Sequence, residues 1–462
     1  MRRRMHFITR GNIAHHWLAT AVRNQQATEG ALRNQCHQTA FMDEGTLNTV
    51  HGTKIHPTTA PVNQPKRIAF LFRYGPTDHA ELFHVLPQIL SRLCETYEVH
   101  YFGLNKPHFN PALFDLRIHF HLWPFRVDRG SHRDKFLKTA IWYLVLPWIG
   151  LRCRFMKMDL IYIDETVPLT GFITKVFSGC PLVMSVVDYF LEIYGESYPI
   201  LRWISRWVYK LEFWTWRRLA GIFVHAEAAK NYLVKNGVPA ELIRVVRDPC
   251  EDTKYFPKDA METRRELGFA ETDFVLVQHG ILHPNKGIDW IFRYMQPLMI
   301  ENPRLKLLIV GGGLELGNLR KLTHELNVER QVVFTDWLPS FREVNNCLNA
   351  SDAGLVMRIG QFSDHFHTTG TLIHCLVCGL PTLAARLDGI AEVVKDDENG
   401  MLFDPTDAEE FRRKLKLLMD NPALCKRLSE KGRATAKHMF DPDKVVNDIV
   451  ERLTRVASAS GS

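Results

Sequence analysis

The chain lacks a hydrophobic run long enough to cross a bilayer. The best candidate, residues 140–151, is too short and contains Pro147. It also lacks a cysteine framework, because the nine cysteines among 462 residues are scattered without regular spacing. That pattern excludes a small disulfide-stapled domain and favours free, mostly buried thiols in a reducing compartment. We therefore predict a cytoplasmic protein, lying at the inner face of the membrane if it contacts one.

The sequence is also poor in metal-binding patterns. It has no Asp-x-Asp signature, and the residues that suggest zinc are His365, His367, His374, Cys375 and Cys378. Cys375 and Cys378 fall within one turn of a predicted helix, and no second Cys/His pair stands at zinc-finger spacing. We predict buried thiols, no metal and no cofactor.

Charge of one sign is not in large excess. The net charge of +7 is compatible with anionic ligands or an anionic membrane surface, and it gives no argument for a nucleic-acid partner. With 46% hydrophobic residues, the chain is long enough for two domains with separate cores.

The first 65 residues lack apolar periodicity and are rich in His, Gln, Asn and Thr, which predicts a disordered or poorly ordered tail. Arg2, Arg3, Arg4 and Arg10, with no acidic residue before Glu29, faintly resemble a transit peptide. A poorly ordered tail, or a later start at Met42, explains the same residues.

From residue 67 onward, short apolar runs alternate with helix-like segments, which predicts a parallel α/β architecture. Pro249, Pro257 and many charges separate two such regions. We predict a first domain over 66–248, a linker over 249–272, a second domain over 273–440, and a C-terminal helix and tail over 441–462.

The second region carries a distinctive series of segments. A strand-like run leads into His279-Gly280-Ile281 and Asn285-Lys286-Gly287, and a second strand ends in Gly311-Gly312-Gly313. Cys378-Gly379-Leu380-Pro381, Asp388-Gly389-Ile390 and Asn399-Gly400 follow in that order. The series resembles the nucleotide-sugar-binding half of family 4 glycosyltransferases (group 1 type). Residues 236–243 and 255–257 are also similar to that family.

The resemblance implies a GT-B fold, with two Rossmann-like domains facing across a cleft. It implies transfer of a sugar from a nucleotide sugar to a saccharide or lipid-linked acceptor, with retention, in cell-envelope or exopolysaccharide biosynthesis. Two alternatives remain open: another nucleotide-sugar enzyme such as an epimerase, and a catalytically inactive GT-B protein that acts as a binding or scaffold module.

The predicted donor site follows from these segments. The family places a phosphate-binding lysine at Lys286, beside the loop that contains Gly280, although a solvated surface lysine is the alternative. Thr369, Gly370 and Thr371 open a helix that either holds phosphate or is simply capped there. Arg358, at the end of the preceding strand, is a second candidate cation.

The chain departs from the family at two glutamates spaced by seven residues. Alignment on 378–381 places Phe366 and His374 at these positions. His374 could bind ribose hydroxyls as a neutral imidazole. Asp364, His365 and His367 are candidates for the lost carboxylate's role, or they form a polar loop. Glu392 is predicted to open the helix after Gly389, where it contacts the donor or complements that helix's N-terminus.

In the first domain, Asp188 follows a predicted strand and is a candidate to orient the acceptor or the donor sugar, or it caps a helix. Tyr74 and Gly75 lie in the loop that matches the family's acceptor-side loop. Asp188 and His365 are thus our catalytic candidates.

Residues 200–219 are rich in tryptophan and arginine. Such a helix can lie in a bilayer interface, with aromatic rings at headgroup level and cations on anionic lipid, or it can pack into the first domain's core. Residues 140–151 have a similar character. We predict peripheral membrane contact through residues 200–219.

Overall fold

The computed structural model describes residues 65–74, 85–104, 111–123, 132–164, 167–186 and 199–459. The tail predicted over 1–65 lies, apart from Pro65, outside these residues.

A seven-stranded parallel sheet organises the first half of the chain, in the order β3-β2-β1-β4-β5-β6-β7. Its strands are β1 (Arg67–Tyr74), β2 (Glu98–Leu104), β3 (His119–Trp123), β4 (Leu160–Asp164), β5 (Leu182–Ser185), β6 (Gly221–Val224) and β7 (Ile243–Val245). Most strands are short apolar runs because both faces of the sheet are covered.

Helices cover both faces of this sheet. They are α1 (Leu86–Leu93), α2 (His132–Phe155), α3 (Thr170–Ser178), α4 (Pro199–Trp216) and α5 (Glu227–Lys235). The side chains of β4 alternate between the two resulting cores: Ile161 and Ile163 face the core that α2, α4 and α5 cover, whereas Leu160 and Tyr162 face the α1 side.

A six-stranded parallel sheet organises the second half, in the order β10-β9-β8-β11-β12-β13. Its strands are β8 (Phe274–His279), β9 (Leu305–Val310), β10 (Val332–Phe334), β11 (Ala353–Val356), β12 (Thr382–Ala385) and β13 (Met401–Phe403). The predicted parallel α/β architecture is confirmed. The domain boundaries stay predictions.

The remaining helices are α6 (Met261–Glu266), α7 (Ile288–Glu301), α8 (Leu316–Glu325), α9 (Phe341–Asn349), α10 (Gly370–Val377), α11 (Asp388–Ala391), α12 (Ala408–Asp420), α13 (Pro422–Met439) and α14 (Pro442–Ala459). The last of them returns to the first half of the chain. Val446, Ile449 and Leu453 of α14 pack beside α1 in the core of the first sheet. The two halves are therefore joined by the chain's final helix as well as by residues 246–273.

In each sheet, the strand order reverses at the strand that comes first in the sequence, which is β1 in the first sheet and β8 in the second. In the second sheet β8 lies between β9 and β11, so the crossovers on either side of β8 run in opposite directions. Ligands of open parallel sheets bind outside the carboxyl ends of the strands at such a switch point. The end of β8 is where the predicted donor residues lie.

Candidate functional site

The switch point of the second sheet brings several predicted donor residues together. Gly280 directly follows β8, Lys286 ends a short 3-10 helix (Pro284–Lys286), and Arg358 lies two residues beyond β11. Strands β8 and β11 are paired in parallel, so their carboxyl ends share one edge. At the same edge, the Thr371 hydroxyl donates a hydrogen bond to the carbonyl of His279 at 3.3 Å.

Two cations share this edge with one carboxylate. Burial, and after it the charge of Arg358, lowers the pKa of Lys286 from 10.5 to about 7, whereas Asp364 opposes the shift. Arg358 donates to Asp364 at 2.9 Å, and the Asp364 side chain is only 1% exposed. Since one carboxylate faces two basic groups, the arrangement is short of negative charge and suited to an anion.

Helix α10 begins beside these cations. The Thr369 hydroxyl accepts a hydrogen bond from the Leu372 N–H at 3.3 Å, so Thr369 is the N-cap of the helix. Gly370 and Thr371 form its first turn, whose N–H groups favour anions. Lysine, arginine and helix N-terminus are the chemical groups that hold a diphosphate.

Glycines make the turn at the end of β8 possible. Gly280 and Gly311 have φ of +116° and +123°, in the region that favours glycine. A Cβ on Gly311 would lie 2.3 Å from the carbonyl oxygen of Gly280, so side chains are excluded there. The two strand ends thus approach each other closely beside the cations.

We expect Gly311→Ala to lower the free energy of unfolding by about 2 kcal/mol or more, because the new methyl group would displace the Gly280 peptide. Gly317→Ala is the matched control. Gly317 lies in α8 with open space around it, so alanine there should stabilise the protein by up to about 1 kcal/mol. Urea denaturation of both variants measures the difference, and equal effects would contradict this account of the turn.

His374, the predicted ribose-binding residue, is held from two sides. Its ring stacks on Tyr255 with centroids 3.8 Å apart. Its Nδ1 lies 3.0 Å from Nε2 of His279. Burial, followed by the charges of His374 and Lys286, lowers the pKa of His279 well below its usual range, so His279 is neutral. The Nδ1 atom of His279 is buried, and no group in the described part of the chain forms a hydrogen bond with it.

Sequence reasoning assigned no role to Tyr255 or His279. Tyr255 lies in the segment predicted as linker, and an isolated tyrosine there carries no periodic signal. The position of His279, directly before Gly280, was the one available sign of its proximity to the site.

Phe366 occupies the other position at which the resemblance leads us to expect a glutamate. It ends a short 3-10 helix (Phe362–Phe366) and packs on Tyr232 of α5, with ring centroids 5.1 Å apart. Its side chain is 6% exposed and belongs to the core of the first sheet. This ring therefore joins the two halves of the protein.

His365 points elsewhere. Its Nδ1 lies 3.2 Å from a carboxylate oxygen of Asp388, at the start of α11. The preceding residue, Asp364, holds Arg358. Neighbouring side chains of this short 3-10 helix therefore contact two different places, the loop after β11 and the start of α11. The backbone of His367 lies against Gly389, where a Cβ would be 2.6 Å from the His367 carbonyl oxygen.

The position of Glu392 differs from the predicted one. It was expected to open a helix, but α11 begins at Asp388 and Glu392 is its C-cap residue. Its carboxylate accepts hydrogen bonds from the N–H groups of Glu227 and Ala228 at 2.9 and 2.7 Å. Arg247 completes the arrangement at 2.8 Å. Glu392 therefore complements the N-terminus of α5, in the other half of the chain, rather than its own helix.

The predicted acceptor-side residues lie at or beyond the edge of the described ranges. Tyr74 is the last residue of β1, and its side chain is not described. Gly75 and Asp188 lie outside the described residues.

A cavity of about 20 Å³ lies near the carboxyl ends of β4, β5 and β6. Ser185, His225, Arg247 and Asp248 supply its polar lining. The imidazole Nδ1 of His225 lies 3.3 Å from a carboxylate oxygen of Asp248. Sequence reasoning did not single out His225, which directly follows β6.

The cysteines considered for zinc are buried in the second core. Cys375 packs against Gly354, since a Cβ built on that glycine would lie 2.6 Å from the Cys375 Sγ. The Cys378 thiol lies 3.2 Å from the Asn345 side-chain oxygen. Burial raises the pKa of both thiols. Within the described ranges, no group of three or more His, Cys, Asp or Glu residues could hold a metal ion.

Sequence similarity to these known proteins covers less than half of the chain. Residues 259–435 match the family model "Glycosyl transferases group 1". N-acetyl-alpha-D-glucosaminyl L-malate synthase of Bacillus anthracis is 24% identical over 209 residues, covering 45% of this chain and 52% of that protein. D-inositol 3-phosphate glycosyltransferase of Acidothermus cellulolyticus is 30% identical over 193 residues, covering 40% and 42%. A GDP-mannose-dependent phosphatidylinositol monomannoside mannosyltransferase of Corynebacterium glutamicum is 28% identical over 181 residues, covering 38% and 46%. The matched segment spans about half the length of these relatives.

Solved structures match over both halves. Anabaena HepE in complex with UDP and glucose superimposes with a TM-score of 0.64 and 20% identity, covering 84% of this chain and 99% of that one. WaaG, involved in lipopolysaccharide biosynthesis, gives a TM-score of 0.60 at 17% identity, covering 83% and 99%. These likenesses establish the fold. The chain has the GT-B fold, and residues 259–435 are similar to the glycosyl transferases group 1 family.

Proposed function

We propose that the protein transfers a sugar from a nucleotide-diphosphate donor to an acceptor. The observation that carries the proposal is the convergence of Lys286, Arg358 and the N-terminus of α10 at the end of β8. These groups would hold the diphosphate and stabilise the charge that develops on it as the sugar leaves. The segment that is similar to the group 1 family contains all three.

The finer assignment rests on the family resemblance. We propose a family 4 hexosyltransferase that retains anomeric configuration, with the leaving phosphate acting as base on the incoming hydroxyl. Asp188 and His365 are the candidates to orient the reacting sugars, and His374 replaces a glutamate at the ribose. The transfer needs no metal.

The acceptor would be a saccharide or a lipid-linked saccharide in cell-envelope or exopolysaccharide assembly, at the cytoplasmic face of the membrane. One similarity supports a nucleotide-sugar donor and a second supports a lipid-linked acceptor. HepE was solved with UDP and glucose, and the Corynebacterium glutamicum relative is named for a lipid-linked acceptor. Ser185, His225 and Asp248 offer hydroxyl-binding groups in the first half.

An inactive GT-B protein that binds a nucleotide sugar is the second candidate. Phe366 turns into the core of the first sheet, and His374 is already engaged by Tyr255 and His279. Neither expected glutamate position therefore presents a carboxylate to the donor.

A two-stage experiment decides between these functions. Thermal unfolding of the purified chain is measured with UDP, GDP and ADP and with their hexose derivatives. A ligand at a hundred times its Kd should add about 2.7 kcal/mol of stability. The stabilising donor is then incubated with membranes, and nucleotide release and product configuration are followed. Stabilisation with turnover supports the enzyme, stabilisation alone supports the inactive protein, and no stabilisation by any donor contradicts both.

A further inference from the structure

Helix α4 exposes a continuous apolar stripe. Trp203, Trp207, Leu211 and Trp214 follow one another at spacings of three and four residues, which places them on one face of the helix. Trp203 is 65% exposed and Trp207 is 56% exposed. The opposite face is buried, with Glu212, Thr215 and Trp216 turned inward.

Helix α2 exposes a second stripe of the same kind. Leu144, Trp148, Leu151 and Phe155 also recur at spacings of three and four residues. Leu144 and Phe155 are 79% and 81% exposed. Since Trp142, Leu146 and Ile149 fill the core from the other side, this helix is apolar on both faces over residues 140–151.

Helix α3 joins the two stripes. A Cβ on Gly150 of α2 would lie 2.8 Å from the Cβ of Phe177, so α2 and α3 pack closely. On the other side, Phe172 of α3 stacks edge-on against Trp214, and the backbone N–H of Leu169 donates to Glu212 of α4. Because these helices cover the same face of the first sheet, their exposed side chains point away from it together, with Val176 between the stripes.

The charge on this surface has one sign. In the described parts of α2, α3 and α4 and the two residues after α4, the charged side chains exposed to solvent are basic: Arg154, Arg206, Lys210, Arg217 and Arg218. The acidic residue of α4, Glu212, is buried. Three cations lie over tryptophan rings, Arg152 on Trp148, Lys210 on Trp207 and Arg218 on Trp214, at 4.3 to 5.1 Å.

We propose that this three-helix face, formed by α2, α3 and α4, rests on a lipid bilayer that contains anionic phospholipid. Tryptophan at headgroup level, apolar side chains below it and basic side chains on the phosphates are what an interfacial surface requires. No helix in the described ranges is long and apolar enough to cross a membrane. The proposal extends the contact predicted for residues 200–219 to three helices, and it does not depend on sugar transfer.

Vesicle sedimentation tests the proposal on the full chain without any donor. We expect binding to vesicles of phosphatidylcholine mixed with phosphatidylglycerol, little binding to phosphatidylcholine alone, and weaker binding as salt is raised. The double variant Trp203→Ser/Trp207→Ser should bind about tenfold more weakly or worse. Ile300→Ser, at a residue 67% exposed on α7, is the matched control and should bind as the wild type does.

A charge variant tests the electrostatic part separately. Lys210→Glu should weaken binding to the anionic vesicles about fivefold or more. Arg413→Glu, an exposed reversal on α12, should leave it unchanged. The proposal is overturned if the wild-type chain does not bind anionic vesicles at low salt. It is also overturned if the control variants lose as much binding as the tryptophan and lysine variants do. Light scattering could instead show a dimer of the wild-type chain. If the double tryptophan variant loses this dimer but still binds vesicles, the face binds a second copy of the chain and not a membrane.

Discussion

Lys286→Ala is expected to weaken binding of a nucleotide diphosphate by about 1.5–3 kcal/mol, which is the value of a charge-assisted hydrogen bond. Lys286 is mostly buried, and Arg358 lies close enough to lower its pKa. Lys321→Ala, on the exposed face of α8, is the control and should bind normally. Isothermal titration of both variants with the stabilising donor gives the comparison. Unchanged affinity in Lys286→Ala would remove this lysine from the site.

The same lysine should make donor binding depend on pH. Its pKa is lowered to about 7 by burial and by Arg358. Below pH 7 the Lys286 amine is already protonated, so the affinity for the diphosphate donor is at its maximum. Above pH 7 the free protein must take up a proton to bind the diphosphate, so affinity should fall by up to about tenfold per pH unit.

UDP-glucose is the suitable probe for this effect, because both of its phosphates are esterified and neither titrates near neutrality. Titrations at pH 8 in buffers of different ionisation enthalpy should show uptake of up to one proton on binding. Lys286→Met should bind weakly and show no such uptake. Affinity that rises with pH above 7 in the wild type would contradict the assignment.

Phe366→Glu is expected to destabilise the protein rather than to activate it. The substitution restores the residue that the family resemblance leads us to expect at this position. However, the side chain of Phe366 lies against Tyr232 and Phe362, where a carboxylate would be buried among aromatic rings. Burial of an unpaired carboxylate, together with the lost packing, should cost several kcal/mol.

Phe366→Leu is the matched control, since a smaller apolar side chain keeps much of the packing and should cost less, about 1–2 kcal/mol. Phe155→Ala removes a phenylalanine that is 81% exposed and should change stability by less than about 0.5 kcal/mol. Chemical denaturation followed by circular dichroism ranks the three variants. A stable Phe366→Glu variant with increased turnover would mean that this side chain can reach the donor.

The order of strands and helices could be predicted from local patterns. Apolar runs such as Phe274–His279 and Leu305–Val310 are too short for helices and are apolar throughout, which favours strands buried on both faces. Since strands and crossover helices alternate, the parallel sheets follow. Gly280, directly after β8, and Lys286, seven residues after it, could then be placed at the carboxyl edge of the sheet.

Contacts between the halves could not be predicted in the same way. Glu392 has the sequence context of a helix N-terminus, yet its carboxylate caps α5, far away along the chain. Phe366 follows a polar loop, yet its ring completes the core of the other sheet. These contacts depend on how the two halves of the chain pack, and local periodicity carries no information about that.

The sequence by itself thus determined two parallel α/β regions and the position of Lys286 and Thr371 at strand and helix ends, because burial and chain reversal leave local patterns in apolar spacing and glycine. Only the tertiary structure decided that His374 stacks on Tyr255, that Arg358 pairs with Asp364, and that the exposed stripes of α2 and α4 form one surface. Each of these results requires residues distant in the chain to meet. Their meeting is fixed by the packing of helices on sheets.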